Sequence, residues 1–178
     1  MENIKIKVKV VTDHSLTYEN IRKEIEKAFQ EFQRQFQIGY EIIEIRKWNP
    51  TRFPTFILDL FSFFRKKLFG ILINLLMKEL RKVKREKREI VIGFSGKLKS
   101  RYKDTFGADT KGYILIGISK IPISYIILHE LGHEFGAKDK NGTGTRSVMN
   151  GEETKTCYFF DDENKAIISA TLTNWNHH

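Results

Sequence analysis

Two short runs, Glu89–Phe94 (EIVIGF) and Tyr113–Ser119 (YILIGIS), constrain this chain more than any other feature. Both are rich in β-branched residues, nearly continuous in apolar ones, and too short for a buried helix. They fit strands covered on both faces, the inner strands of a largely parallel sheet. Such a sheet needs helices to cover it and a chain long enough to supply them. The 178 residues suffice for one domain and are short for two. Hydrophobic residues make up 40% and charged residues 30%, a globular mixture that excludes a disordered chain. The single cysteine excludes a disulfide framework and a multi-cysteine metal cluster.

The flanking sequence supplies the remaining elements. Ile4, Ile6, Val8 and Val10 alternate with Lys5, Lys7 and Lys9, which predicts a strand with one buried and one wet face. Thr17 can cap a helix running to about Phe36, with Ile21, Ile25, Phe29, Phe32 and Phe36 on one stripe. Residues 39–46 (GYEIIEIR) read as a second strand, so the opening predicts a parallel pair joined by a right-handed crossover. Pro50 and Pro54 punctuate the chain, and residues 55–88 read as one long helix or two. Phe106, Gly107, Ala108 and Asp109 fit a short edge strand. Pro122 opens another helix, and a last one starts at Asp161 or Asp162, with acids suited to the helix dipole.

Charge is concentrated in one place. Residues 65–88 hold ten Lys/Arg against Glu79 and Glu86, so this segment carries +8 of the net +9. A near-neutral body with one basic segment predicts a local interaction surface. Three readings of residues 55–88 follow. They are an extra helical layer with a solvated basic tail, a surface lying on an anionic membrane, or a lid over a cleft. Nucleic acid is disfavoured, because the basic run lacks interleaved aromatics that stack on bases. The first residues lack the apolar core of a secretion signal. The apolar stretch Leu68–Met77 falls short of the about 20 residues that span a bilayer. The expected location is cytoplasmic, peripherally membrane-associated if the basic segment meets lipid.

The chemistry-bearing run is His129-Glu130-Leu131-Gly132-His133-Glu134-Phe135-Gly136-Ala137-Lys138-Asp139. On a helix, His129 and His133 share a face, and two imidazole nitrogens can meet one zinc ion. Glu130 flanks that metal and can take a proton from zinc-bound water. A catalytic zinc needs a third protein ligand and an open position. Beyond this pair, the five histidines leave only His14 and the terminal His177 and His178, to which no function is given. A carboxylate is therefore expected. Asp139 ranks first, since Gly136 can end the helix and turn the chain back; Glu152, Glu153, Asp161 and Asp162 rank lower. The competing explanation is an amphipathic helix with two surface histidines. The added Gly136 and Asp139 count against it.

This run resembles the extended zinc motif of the metzincin metallopeptidases, HExxHxxGxxH, with Asp in third place as in the snapalysin-like members. Ser147-Val148-Met149-Asn150 resembles the family's Met-turn. FGADTKGYILIGIS is similar to the archaemetzincin branch, and SVMN with the later FFDDENKAI is similar to matrixins. The resemblance implies an α+β, zincin-like fold. It has a twisted, mixed, mostly parallel sheet of about five strands, with an active-site helix, a backing helix and a C-terminal helix. It implies a single catalytic domain over residues 1–178, with a helical basic insert at about 48–88 that the family does not share. It further implies one catalytic Zn2+ on His129, His133 and Asp139, with Glu130 as general base and Met149 beneath the ligands. Phe106–Asp109 would bind an extended peptide or protein substrate. The implied activity is that of a zinc endopeptidase. The alternative is a peptide- or membrane-surface-binding module with little turnover.

Three departures stand out. One cysteine cannot build the second zinc site of archaemetzincins. No matrixin prosegment is visible. Gly151 replaces the Tyr that some members carry two residues after the Met, which leaves Tyr158 as a candidate oxyanion helper. Cys157 reads most simply as a buried apolar side chain, with a zinc-blocking thiolate as the other reading.

Overall fold

The computed structural model describes residues 5–13, 16–50, 65–96, 98, 107–117, 121–140, 146–150 and 157–175. Its elements are β1 (Lys5–Thr12), α1 (Tyr18–Phe36), β2 (Gly39–Lys47), α2 (Arg65–Leu80), β3 (Glu89–Ser95), β4 (Gly107–Thr110), β5 (Tyr113–Gly117), α3 (Ile123–Glu134) and α4 (Asp162–Trp175). The strands form one sheet in the order β2-β1-β3-β5-β4. Four are parallel, and only the edge strand β4 runs antiparallel, against β5. This is the mixed, mostly parallel sheet of five strands that the sequence implies.

Alternation sorts the side chains between two cores. Ile6, Val8, Val10, Ile90, Ile92, Phe94, Ile114 and Ile116 point to one face, where α1, α3 and α4 cover them. Val11, Val91 and Leu115 point to the other, where α2 covers them. β3 is buried along its whole length, as its continuous apolar run requires. Helix α1 begins where Thr17 Oγ1 accepts from Asn20 N–H at 3.3 Å, and it buries Ile21, Ile25, Phe29 and Phe32. Pro122 caps α3 but offers no side-chain acceptor. Glu24 of α1 supplies one instead, taking the Ser124 N–H at 2.8 Å.

The basic segment differs from expectation. Helix α2 ends at Leu80 and does not reach Arg88. Leu72, Leu76 and Leu80 are fully buried in the cluster on that face, and Leu80 is the last residue of the helix. Beyond it, cations at 81, 82, 84, 85, 87 and 88 would repel one another along a helix. The chain turns instead, and Val83 folds back into the core. Each buried leucine contributes about 1.5–3 kcal/mol, so α2 holds its place as a layer of the fold. Residues 51–64, which include the start of the expected helical region, lie outside the described residues, as do Ile4, Phe106 and Gly151.

Candidate metal centre

Helix α3 runs through the interior, with Tyr125, Ile126, Ile127, Leu128 and Leu131 buried around it. Its 3.6-residue period places His129 and His133 one turn apart on the side away from that core. The helix ends in a left-handed turn. Gly136 has φ +89°, its N–H bonds His133 O at 2.9 Å, and Ala137 N–H bonds Gly132 O at 2.8 Å. That reversal returns the chain past the two imidazoles and delivers Asp139.

The orientation of both rings follows from their hydrogen bonds. His129 Nδ1 lies 2.9 Å from Val148 O, and His133 Nδ1 lies 3.0 Å from Ala137 O. A carbonyl oxygen only accepts, so each Nδ1 donates and each neutral ring presents a lone pair at Nε2. Burial pushes the His129 imidazole below its ordinary value, which favours that neutral form. The two Nε2 atoms stand 3.1 Å apart, and Asp139 Oδ1 stands 3.4 Å and 3.2 Å from them. Three acceptor atoms therefore converge. A tetrahedral shell with bonds of about 2.0–2.1 Å has edges of about 3.3 Å. The donor set and spacing therefore fit a divalent cation such as zinc, held by His129, His133 and Asp139.

Glu130 lies one residue on, turned toward the edge strand. It is 5% exposed, and its carboxylate has no hydrogen-bond partner among the described residues. Burial, reinforced by the charges of Asp109 and Asp139, pushes it up to about 8. β4 presses directly against it. A methyl group on Gly107 would collide with the Glu130 carboxylate. Gly107 and Asp109 pair with Ile116 and Ile114, and so face the α3 side of the sheet, while Ala108 pairs with Leu115. Asp109 is itself raised by burial, and the nearby His133 offsets part of that rise.

The segment at Met149 lies under the helix. Met149 is fully buried, and its sulfur would meet a methyl group placed on Gly132, between the two histidines. Its carbonyl accepts from Lys140 N–H at 2.9 Å, one residue past Asp139.

The structure brings His129, His133, Asp139, Glu130, Met149, Gly136, Gly107 and Asp109 together, and it leaves Tyr158 elsewhere. The Tyr158 hydroxyl is paired with Ser124 Oγ at 3.1 Å, more than a turn before His129, and Lys27 lies over its ring. Cys157 is buried with its sulfur on Phe159 O, not on the histidines. Asp161 bonds Ser147 Oγ at 2.8 Å and caps α4 through Asn164, so it serves the loop and not the triad. Asp162 is exposed at the start of α4, and Glu152 and Glu153 lie outside the described residues.

Sequence reasoning missed three supporting residues. Tyr125 donates to Val148 O at 2.9 Å, the same carbonyl that holds His129. Burial, with Cys157 and Tyr158 adding to it, pushes its hydroxyl up to about 12, so it stays a donor. Its position four residues before His129, on the same helix face, was the available signal. Glu134, four residues after Glu130, accepts from Gly112 N–H at 2.7 Å and ties α3 to the β4–β5 turn. Asn164 had no local signal.

No family profile matches the sequence, and no curated protein matches it significantly. Solved structures do. Archaemetzincin from Methanopyrus kandleri superposes with a TM-score of 0.60 at 15% identity, covering 95% of this chain and 96% of that one. The fold is zincin-like. A zinc-dependent peptidase from Methanocorpusculum labreanum matches at 0.53 and 11% identity, covering 90% of this chain and 99% of its own. Metalloproteinase-II from Bacteroides fragilis matches at 0.57 and 11% identity over 96% of this chain and 54% of that one. At these identities the likeness establishes the architecture; one of these neighbours is described as a zinc-dependent peptidase and another as a metalloproteinase.

Proposed function

We propose that the chain is a single-domain zinc endopeptidase of metzincin type, with the α2 region as its own basic insertion. The observation that carries this reading is the convergence of three acceptor atoms beside the Glu130 carboxyl, which forms no hydrogen bond among the described residues. That carboxyl is mostly buried, and with no hydrogen bond to hold it, it is left available for chemistry, which argues against a binding module on the same scaffold. His129, His133 and Asp139 hold the ion, and Met149 lies beneath them as the Met-turn. Zinc supplies a Lewis acid and an acidified water when bound there. Glu130 accepts the proton of the attacking water and returns it to the leaving amine. The short edge strand at Gly107–Asp109 aligns an extended peptide by strand addition, and Phe106 continues it in sequence.

The membrane reading is narrower than the sequence suggested. The apolar side of α2 is occupied by the sheet, and detaching it would cost more than the about 1 kcal/mol that each lysine gains near anionic lipid. What still supports a contact is the exposed charge of Lys82, Lys84 and Lys87. Among the described residues no helix is long and apolar enough to cross a membrane.

The direct test compares cleavage of an unstructured peptide library by the zinc-loaded protein and its Glu130→Ala variant. The expected result is cleavage by the first and a loss of about 10²–10⁴-fold in the second, with zinc still bound. Zinc binding without cleavage by either would instead favour the binding module.

A further inference from the structure

Asp139 is the most exposed member of the triad, with 58% of its side chain accessible. Among the described residues its carboxylate contacts only the two imidazoles, so no side-chain partner aims it. Its position is set by the backbone on either side. Ala137 O is held by His133 Nδ1, and Lys140 N–H by Met149 O. Between them, Lys138 is gripped twice by one side chain of α4. Asn164 Oδ1 accepts from Lys138 N–H at 2.8 Å, and Asn164 Nδ2 donates to Lys138 O at 3.1 Å.

We propose that Asn164 is the positioning residue for the third metal ligand, fixing the backbone at Lys138 so that Asp139 Oδ1 meets the two histidine nitrogens. This rests on the metal-centre reading above. Asn164 is fully buried, and its remaining amide hydrogen goes to Asp161 Oδ2 at 2.8 Å. Each polar atom of the amide therefore has a fixed partner, and the side chain has one orientation. The chemistry explains the residue type. Gripping both the N–H and the C=O of one residue from two adjacent atoms requires a donor and an acceptor side by side, which a carboxamide offers and a carboxylate or Leu does not. Helix α4 contributes no ligand of its own, yet through this amide it fixes the geometry of the site.

The test is metal affinity, measured by competition with a chromophoric chelator for zinc, together with the visible absorption of the cobalt-loaded protein. Asn164→Leu keeps the shape and loses both bonds; Asn164→Ser is milder and admits water. Each is expected to weaken zinc binding about 10–100-fold, the range for a residue supporting a ligand, and to shift the cobalt spectrum toward that of Asp139→Ala. Circular dichroism should show the fold retained. In an Asp139→Ala background, the same substitutions should cause no further loss, since the ligand they serve is gone. Wild-type affinity in either folded variant overturns the proposal, and so do losses that multiply with that of Asp139→Ala. If Asn164→Leu fails to fold, Asn164→Ser carries the comparison. A wild-type chain that binds no zinc overturns the metal-centre reading itself, a distinguishable result.

Discussion

A methyl group at Gly107 has no room between β4 and Glu130. Built on the backbone, it would lie 2.5 Å from both Cγ and Cδ of Glu130, well inside contact distance. Gly107→Ala must therefore displace the carboxylate or the strand, while His129, His133 and Asp139 keep their places. The expected outcome is a fall in kcat/KM approaching that of Glu130→Ala, about 10²–10⁴-fold, at unchanged zinc affinity. Steady-state kinetics and a zinc titration on one preparation check both halves. Undiminished cleavage would mean that Glu130 works from another position. At this scale the sequence was partly legible. Helical period alone places His129 and His133 on one face, and Gly136 announces the turn to Asp139. Tyr125 and Asn164 were not legible as supports. They act through backbone carbonyls and amides 23 and 26 residues away, which no local pattern encodes. The pairing of the Tyr158 hydroxyl with Ser124 is likewise a contact that no local pattern signals.

Among the elements, α4 shows how a helix start can tie distant segments together. Asp161 precedes the helix, accepts from Asn164 N–H at 3.1 Å as an N-cap, and takes the Ser147 hydroxyl at 2.8 Å. Burial pushes its carboxyl up, but the hydrogen bonds from Asn164 and Ser147 outweigh this and hold it below the ordinary range. A carboxyl with a lowered folded value stabilises the fold in its ionised form. That contribution is present above the unfolded value of about 3.9 and is lost as pH falls through the lower folded one. Asp161→Ala should cost about 0.5–2 kcal/mol at pH 7, and the gap to wild type should be smaller at pH 3. Urea unfolding of the zinc-free proteins at both pH values measures it; a gap independent of pH would assign the effect to shape. The start of α4 was legible from its acids. The end of α2 was not, because only the reach of Leu80 to the sheet decides where that helix stops being useful.

Over the whole molecule, the inner strands and the crossover unit were legible as pieces, because burial on both faces leaves a continuous apolar run. Their order was not. That β1 lies between β2 and β3, and that β4 reverses at the edge, depends on contacts between segments far apart in sequence. The candidate metal centre joins the same distant pieces, since α3, the returning segment at Asp139 and the Met149 loop meet only in the folded chain. An ion bound there stabilises the native state alone, by about 2.7 kcal/mol at a hundredfold excess over Kd. For a chain of this size that corresponds to about 5–10 °C in Tm. On the proposed reading Glu130 is the base and no ligand, so wild type and Glu130→Ala should show the same shift. Asp139→Ala should show a smaller one at equal zinc concentration. Thermal unfolding of the three proteins, with and without zinc, separates the roles: a shift lost in Glu130→Ala would make that carboxylate a ligand, and an undiminished shift in Asp139→Ala would remove Asp139 from the set.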